Sequence, residues 1–293
     1  MDSLASIVIP AHNEEHRIRG LLETLTDKSL KGRYDVYVIC NGCTDRTKEV
    51  AEEFEGIDVV EITDVGKHFA LNEGDRLADD VFPRLYCDAD VRLDPSSIEH
   101  LVQRLTTDEV VAAGPSVKYD VERASWGVKK YYRSLDSLVM SKWLDVHLVG
   151  RGVYGASRNA RKRFDVFPSL FADDKFFDSQ YDETEKVTVS DALVTIWTPT
   201  TLRQLVRNET RVARGNRQAA TYFSREQRVE SVDAKDSVPL AAMIQSKART
   251  LRQWARDVKT ADYAPLLVYL SVTATTRLSL VLLRLRQKQV SWR

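Results

Sequence analysis

Short apolar runs alternate with amphipathic helical patterns through the first third of the chain, and this alternation constrains the fold more than any other feature. The runs lie at residues 6–10, 34–40, 58–62 and 84–87 and have the length and residue types of buried strands. A helical pattern follows each of the first three runs. Strands that alternate with helices form a parallel sheet covered on both faces, so we predict an α/β fold.

A cluster of polar residues follows each of these four runs. The carboxyl ends of parallel strands meet at one edge of a sheet, and ligands bind in the crevice beyond them. We therefore expect the clusters to form one binding site. They are Pro10-Ala11-His12-Asn13-Glu14, Asn41-Gly42-Cys43-Thr44-Asp45, Val65-Gly66-Lys67 and Asp88-Ala89-Asp90.

The last cluster, Asp88-Ala89-Asp90, places two carboxylates one residue apart at the end of a buried strand. Carboxylate oxygens are hard ligands that suit Mn²⁺ or Mg²⁺, the ions that accompany nucleotide phosphates. An Asp-x-Asp pair also occurs in ordinary acidic turns, so the pair alone is a weak signal. The three clusters that precede it favour the metal interpretation.

The second half of the chain is less regular. An apolar stretch at residues 264–285 is interrupted by Arg277 and Arg284, too often for a membrane span. An amphipathic helix that lies on a bilayer and one that packs on the core fit this stretch equally well. The other predicted elements are strands at 110–115 and 187–189, a helix at 126–143, a glycine-rich loop at 150–155, and helical patterns at 199–214 and from 239 onward.

Charge and cysteine content limit the classes of binding partner and the cellular compartment that we expect for this protein. The chain has 43 Lys and Arg against 43 Asp and Glu, which gives no support for general nucleic-acid binding. Its end is basic, however, and suits either an anionic membrane surface or a solvated face. Cys40-x-x-Cys43 has no second pair to complete a zinc site, and three cysteines form no disulfide framework. With no signal-peptide pattern at the start, a cytoplasmic protein is expected.

The clusters resemble the motifs of family 2 glycosyltransferases of the GT-A fold, and the resemblance covers residues 6–216. It implies a Rossmann-like, mostly parallel sheet with helices on both faces, followed by a C-terminal helical extension. We therefore predict a GT-A domain over residues 1–220 and an extension over residues 221–293. Two later motifs contribute to the resemblance, Asp173-Asp174 and Arg211-x-x-Arg214-Gly215.

On the donor side, the resemblance places Pro10, Ala11 and Glu14 beside the nucleotide, where a carboxylate accepts from ribose hydroxyls. An acid such as Glu14 also suits the first turn of a helix because of the helix dipole. The family commonly has two acids before the glycine of the second motif, and one of them reads the base. Here these positions hold Cys40 and Asn41, and the Asn41 amide can still pair with a base edge.

A second group of residues is expected to bind the diphosphate and the metal. Lys67 follows a glycine at a helix start, where backbone N–H groups and an ammonium attract a diphosphate, although a free surface lysine fits too. Asp90 is the expected ligand of Mn²⁺ or Mg²⁺. Asp88 would contact the ribose or hold metal-bound water, and Ala89 would line the nucleotide.

The pair Asp173-Asp174 corresponds to a Glu-Asp pair in the family, whose second member is the general base. The resemblance therefore makes Asp174 the base that takes the proton of the acceptor hydroxyl, with Asp173 as its catalytic neighbour. A neighbouring acid and partial burial raise the pKa of a carboxyl into a useful range. The pair also suits a helix N-terminus, and capping is compatible with catalysis.

The remaining candidates are cationic or lie in the glycine-rich stretch. Arg211 and Arg214 share a helix face by spacing and would hold the diphosphate or an anionic acceptor, unless they form a solvated helix end. Processive family members carry Gln-x-x-Arg-Trp there, so a non-processive enzyme is expected. Arg151 and Tyr154 are candidate acceptor contacts, and His147 is a candidate further metal ligand.

The resemblance implies a metal-dependent, inverting transferase that moves one sugar from a nucleoside-diphosphate sugar to a hydroxyl acceptor, either a saccharide or a lipid-linked intermediate. The basic C-terminal end adds an expected peripheral contact with the cytosolic face of a membrane. One alternative is a catalytically inactive nucleotide-binding or scaffold protein on the same fold, which the Cys40-Asn41 departure favours. A sugar nucleotidyltransferase would need a glycine-rich loop after the first strand, which this chain lacks.

Overall fold

The structure, a computed structural model, describes residues 3–107, 112–135, 146–230 and 264–290. Its described strands form one sheet in the order β3-β2-β1-β4-β7-β6-β8-β5. The strands are β1 Ala5–Ala11, β2 Tyr34–Asn41, β3 Asp58–Ile62, β4 Arg84–Cys87, β5 Val91–Leu93, β6 Ala112–Asp120, β7 Val153–Ala156 and β8 Lys186–Trp197. The α/β fold class is confirmed.

Helices follow the strands along the chain as the sequence predicts, and both long C-terminal helical patterns are present. The second pattern lies partly outside the described residues, from 239 to 263. The helices are α1 Ile18–Leu25, α2 Thr47–Glu52, α3 Lys67–Ala78, α4 Pro95–Thr106, α5 Trp126–Leu135, α6 Arg158–Arg161, α7 Asp173–Ser179, α8 Leu202–Glu230 and α9 Ala264–Val290. The remainder of the predicted helix 126–143 also lies outside the described residues.

The first half of the sheet is parallel. Strand β1 lies between β2 and β4 and runs parallel to both, and β3 pairs parallel with β2. Every residue of β1 is buried, because helices cover both faces of a parallel sheet. Helix α1 contributes Ile18, Leu21, Leu22 and Leu25 to the same core. The four strands predicted in this region are all present.

The second half of the sheet introduces antiparallel pairs and corrects one prediction. The stretch predicted as a glycine-rich loop contains β7, which pairs antiparallel with both β4 and β6. Gly155 lies within this strand because there is no room for a side chain. A Cβ there would lie 2.6 Å from Leu105 Cδ1 and closer still to Leu85. The glycine therefore marks close packing rather than a turn.

Strands β6 and β8 pair parallel with each other along their length, and β5 pairs antiparallel with β8. Both β6 and β8 extend well past the runs predicted at 110–115 and 187–189, because their pairing continues from Ser116 opposite Leu193 to Asp120 opposite Trp197. Parallel pairs therefore outnumber antiparallel ones by four to three among the described strands.

The described residues divide into two compact units, one within Met1–Asp120 and Leu144–Trp197, the other within Val121–Trp143 and Thr198–Arg293. The first contains the sheet. The second consists of α5, α8 and α9, which pack around an apolar cluster that includes Val128, Leu205 and Val272. The domain boundary predicted after residue 220 remains a prediction, and α8 continues through it.

Candidate active site

The first two polar clusters contact each other at the carboxyl ends of β1 and β2. His12 Nδ1 lies 2.6 Å from the carbonyl oxygen of Asn41. Thr44 N donates to Asn13 Oδ1 at 2.8 Å, and Asn13 adopts a φ of 58° in this turn. Asn41 itself is buried. These contacts fix the turns that follow the two strands into one wall of the site.

Glu14 follows the first of these turns, and a hydrogen bond to α2 holds its backbone in place. Its N–H donates to Thr47 Oγ1 at 2.8 Å. Burial and the nearby Asp90 carboxylate raise the pKa of its carboxyl to about 7, although Arg17 opposes the shift. Pro10 and Ala11 are buried in β1 immediately before it, so they can face a ligand only through their backbone.

Asp88 and Asp90 follow β4, and each faces a different cation. Lys67 Nζ lies 2.6 Å from Asp88 Oδ1, and Arg17 Nη1 lies 3.2 Å from Asp90 Oδ2. Burial raises the pKa of Asp88 to about 6, even though the Lys67 ammonium opposes that shift. The side chain of Ala89 is buried between the two acids. Two carboxylates thus project from one strand end.

Lys67 connects this strand end to a distant part of the chain. Its ammonium also lies 2.9 Å from Asp173 Oδ2. Burial alone would lower the pKa of Lys67, but Asp173 and Asp88 outweigh it and raise the pKa, so the lysine stays charged. Gly66, with a φ of 149°, starts the helix that presents it. The third and fourth clusters and the Asp173-Asp174 pair therefore share one site.

The two acids at the start of α7 are held differently. Asp173 is buried and accepts a 2.7 Å hydrogen bond from Tyr154 OH on the same oxygen that faces Lys67. Asp174 accepts from the backbone N–H groups of Gly150 at 2.7 Å and Lys175 at 2.8 Å. Burial raises the pKa of Asp174, Asp173 adds to the shift, and these N–H donors oppose it.

The residues present fit a divalent cation that completes its coordination from elsewhere. Within the described ranges, no three His, Cys, Asp or Glu side chains converge into a metal-binding group. Asp88 and Asp90 still supply two hard carboxylates at one strand end. Mg²⁺ typically takes one or two carboxylates together with waters and substrate phosphates. The donor set therefore suits a cation that binds with a nucleotide.

The structure places Arg151 in the interior of the first unit. Arg151 is 1% exposed, and its guanidinium donates to the carbonyl oxygens of His147 and Pro115 and to Thr188 Oγ1. This position does not support the expected acceptor contact. A buried arginine on backbone carbonyls stabilises the packing between β6, β8 and the segment before β7.

Tyr154 and His147 contact other residues of the chain, and their expected roles stay predictions. The ring of Tyr154 is buried, and its hydroxyl donates to Asp173. His147 Nδ1 lies 3.0 Å from Asp178 Oδ2, a carboxylate that Lys186 also contacts. This polar cluster contains neither Asp88 nor Asp90.

Arg211 and Arg214 lie in α8, in the second unit, and both are exposed. Three further exposed arginines, Arg203, Arg207 and Arg217, follow the same three- and four-residue spacing. They therefore occupy one face of the helix, opposite its buried positions. The expected role of Arg211 and Arg214 at the diphosphate remains a prediction.

Sequence reasoning missed two residues of the site. Arg17, which faces Asp90, precedes α1 and gave no signal beyond its charge. Phe171 is 73% exposed only two residues before Asp173. The apolar run that ends at this acid pair could have indicated an exposed aromatic side chain, since a large exposed ring beside buried acids is typical of a ligand contact.

Searches among solved structures support the fold. The mannosyltransferase PcManGT from Pyrobaculum calidifontis, solved with GDP-Man and Mn²⁺, matches at a TM-score of 0.62 and 18% identity, over 94% of this chain and 81% of that one. Residues 1–349 of S. aureus TarS, solved with UDP-GlcNAc, match at a TM-score of 0.53 and 16% identity, over 66% of this chain and 58% of that one.

Sequence comparisons support the family. Glycosyltransferase AglE of Haloferax volcanii is 33% identical over 75 residues, which are 24% of this chain and about a quarter of the relative's length. The model of Glycosyl transferase family 2 matches residues 6–160, more than half of this chain. The matched region contains all four strand-end clusters, and the chain accordingly belongs to glycosyl transferase family 2.

Proposed function

We propose that this enzyme transfers a single sugar from a nucleoside-diphosphate sugar to a hydroxyl acceptor, with inversion at the anomeric carbon and without processive synthesis. The single observation that carries the proposal is the pair of ion pairs made by Lys67, with Asp88 at 2.6 Å and with Asp173 at 2.9 Å. These contacts bring Asp88 and Asp90, which are suited to bind a metal ion, close to Asp173 and Asp174, which are suited to supply a general base.

The donor nucleotide occupies the edge formed by β1, β2 and β4. Glu14 accepts from the ribose hydroxyls once its carboxyl is ionised, and the backbone of Pro10 and Ala11 frames the base. Asn41 reads the base edge. Its buried side chain makes a hydrogen bond specific, because a wrong base would leave the amide without a partner.

Asp90 and Asp88 hold Mn²⁺ or Mg²⁺ beside the diphosphate, with Ala89 between them. When bound, the ion supplies charge neutralisation for the leaving diphosphate. Lys67 contributes a further positive charge at the same place. Arg211 and Arg214 are proposed to contact the diphosphate or an anionic acceptor, as their matching motif in the family suggests.

Asp174 is the general base of the transfer. It removes the proton from the acceptor hydroxyl while that oxygen forms a bond to the anomeric carbon, and the bond from this carbon to the diphosphate oxygen breaks. The raised pKa of Asp174 strengthens it as a base. Asp173 orients the pair through Tyr154 and Lys67.

The acceptor is proposed to be a saccharide or a lipid-linked intermediate. Phe171, exposed beside the acid pair, is suited to stack on a sugar ring or to contact an apolar chain. We place the reaction in the cytoplasm, at the cytosolic face of a membrane. None of the helices that the structure describes combines the length and the hydropathy needed to span a bilayer.

The first test measures thermal stability with UDP, GDP, dTDP, CDP or ADP, each with and without Mn²⁺, for the native chain and Asp90→Ala. A ligand at one hundred times its Kd adds about 2.7 kcal/mol to the free energy of unfolding. We expect one nucleotide to raise the Tm only with Mn²⁺, and the variant to lose that rise. The matching nucleotide sugars are then tested for release of the diphosphate.

Asp94→Asn is a matched control, because Asp94 is exposed and occupies the N-cap position of α4, where asparagine is equally favoured. It should retain the full shift. A Tm that no nucleotide raises in the native protein would overturn the donor site. Binding without any release of diphosphate from the matching sugars would contradict the transfer reaction.

A further inference from the structure

Helix α9 uses one of its faces to complete the second unit. Val272 is buried on that face, and the ring of Tyr269 stacks on Tyr131 of α5 with a centroid distance of 5.7 Å. Thr276, one turn after Val272, is buried as well. This face packs against α5 and α8, as an amphipathic helix packs on a core.

The opposite face of α9 is also apolar, but it is exposed. Leu267, Leu270, Leu278 and Val281 are 61%, 43%, 59% and 50% exposed. Their spacing of three, eight and three residues puts all four on one side of the helix. We call this set the C-terminal apolar stripe. A row of large apolar side chains on a surface marks an interaction site with a membrane or another protein.

The charge around the stripe identifies its partner. After Asp262 the chain has no acidic residue, whereas it has five bases: Arg277, Arg284, Arg286, Lys288 and Arg293. Arg277 is exposed within the length of the stripe. An apolar face on a segment whose charged residues after Asp262 are all basic complements a bilayer surface that contains anionic lipids. A second copy of this basic segment would bring like charges together, which is unfavourable.

We infer that the C-terminal apolar stripe of α9 docks on an anionic lipid bilayer, with the four side chains inserted at the level of the headgroups. The apolar segment at 264–285 thus fits both alternatives that its sequence allows: one face packs on α5 and α8, and the other contacts lipid. This inference goes beyond the proposed sugar transfer, because it stands or falls whether or not the enzyme transfers a sugar.

The test is co-sedimentation of the full chain with vesicles of phosphatidylcholine alone or of an equal mixture with phosphatidylglycerol. We expect binding to the mixed vesicles and much weaker binding to the neutral ones. Leu270→Ser/Leu278→Ser should weaken binding to the mixed vesicles at least roughly tenfold, because two half-exposed leucines lose their burial. Arg277→Gln should weaken it roughly fivefold, and added salt should reduce that difference.

Leu4→Ser/Val166→Ser is the matched control, since both residues are similarly exposed in the first unit. It should bind vesicles like the native chain. Arg277→Gln changes only an exposed side chain, so it tests the inference even where the leucine variant unfolds. Nucleotide binding by each variant is measured in parallel and should be unchanged, which separates this inference from the proposed function.

Three results would overturn the inference. One is equal binding to neutral and anionic vesicles, and another is unchanged binding by both the leucine variant and Arg277→Gln. The third is a native dimer that the leucine variant converts to a monomer without any loss of vesicle binding. That last result would assign the stripe to a second copy of the chain.

Discussion

Two pairs of aspartates, of the same residue type and nearly the same spacing, have different surroundings in this enzyme. Asp88 and Asp90 end a strand and face the cations Lys67 and Arg17. Asp173 and Asp174 begin a helix, where a tyrosine hydroxyl, Lys67 and two backbone N–H groups hold their oxygens. The first pair is held by side-chain cations, whereas hydrogen bonds from a hydroxyl and from backbone N–H groups also hold the second.

This difference shows how the same carboxylate is suited to two kinds of chemistry. Oxygens that face only side-chain cations can exchange those partners for a metal ion at little structural cost. An oxygen held by backbone N–H groups cannot move, but its direction toward a substrate hydroxyl is fixed, as a general base requires. Lys67 is the group that the two pairs share.

The largest expected effect comes from removing the base. Asp174→Asn keeps the shape and one of the two acceptor positions but cannot take a proton, so turnover should fall roughly 10³-fold while donor affinity is unchanged. The measurement is the release of nucleoside diphosphate from the accepted donor, with isothermal titration for affinity. Asp165→Asn, an exposed acid shortly before the pair, serves as the control. A loss of donor affinity equal to the loss of turnover would assign Asp174 to binding instead.

Asp90→Asn tests the other pair. Loss of a residue that only contacts a metal ligand lowers metal affinity roughly 10- to 100-fold. Asp90 is proposed to bind the metal directly, so its loss should lower the Mn²⁺-dependent affinity for nucleotide by more than that. Titration of the nucleotide at fixed Mn²⁺ measures it. If the affinity without Mn²⁺ falls by the same factor, Asp90 contacts the nucleotide directly, and the contrast between the two pairs disappears.

Tyr154→Phe tests whether the tyrosine hydroxyl stabilises the acid pair without taking part in the reaction. It removes the 2.7 Å hydrogen bond to buried Asp173 and should lower the free energy of unfolding by about 2 kcal/mol, with a smaller loss of turnover than Asp174→Asn. Tyr181→Phe is a control, because Tyr181 is also buried but donates to the carbonyl oxygen of Ala160. Denaturant unfolding and turnover are measured for both. Equal effects on turnover would show that the Tyr154 hydroxyl has no special relation to the acid pair.

The smallest expected effect concerns Glu14 and its dependence on pH. Its pKa is about 7 in the folded protein and near 4.5 when unfolded, so the folded state binds the proton more tightly and loses stability as pH rises through that range. Glu14→Gln should raise stability by about 1 kcal/mol at about pH 8, after allowance for solvent screening, and change it little at about pH 4. Thermal unfolding at both pH values checks this. A gain that is equal at the two values would point to packing instead of ionisation.

The parallel half of the sheet could be predicted from sequence because its signals are local. Each strand is a short apolar run, and each polar cluster follows immediately, so β1 to β4 and the edge where their clusters meet follow from neighbouring residues. Strand β7 was missed because a glycine that relieves crowding against Leu85 and Leu105 gives the same sequence signal as a glycine in a turn.

The contacts within the site could not be predicted in the same way. Lys67 and Asp173 lie far apart in the chain, and no local pattern indicates that they meet. The acceptor contacts expected of Arg151 and Tyr154 stay predictions, and the structure buries both side chains against other residues of the chain. Which face a strand residue occupies depends on register, and register is set by the partner strand.

The antiparallel register of β7 on β4 limits how this enzyme can diversify. Tyr86 faces Tyr154 across the pair, and Asp88 N donates to the carbonyl oxygen of Gly152 at 2.7 Å where the pair ends. One residue inserted between Gly152 and Tyr154 would turn the tyrosine to the other face of the sheet and withdraw its hydroxyl from Asp173. The hydrogen bond from Tyr154 to Asp173 therefore depends on the length of that segment.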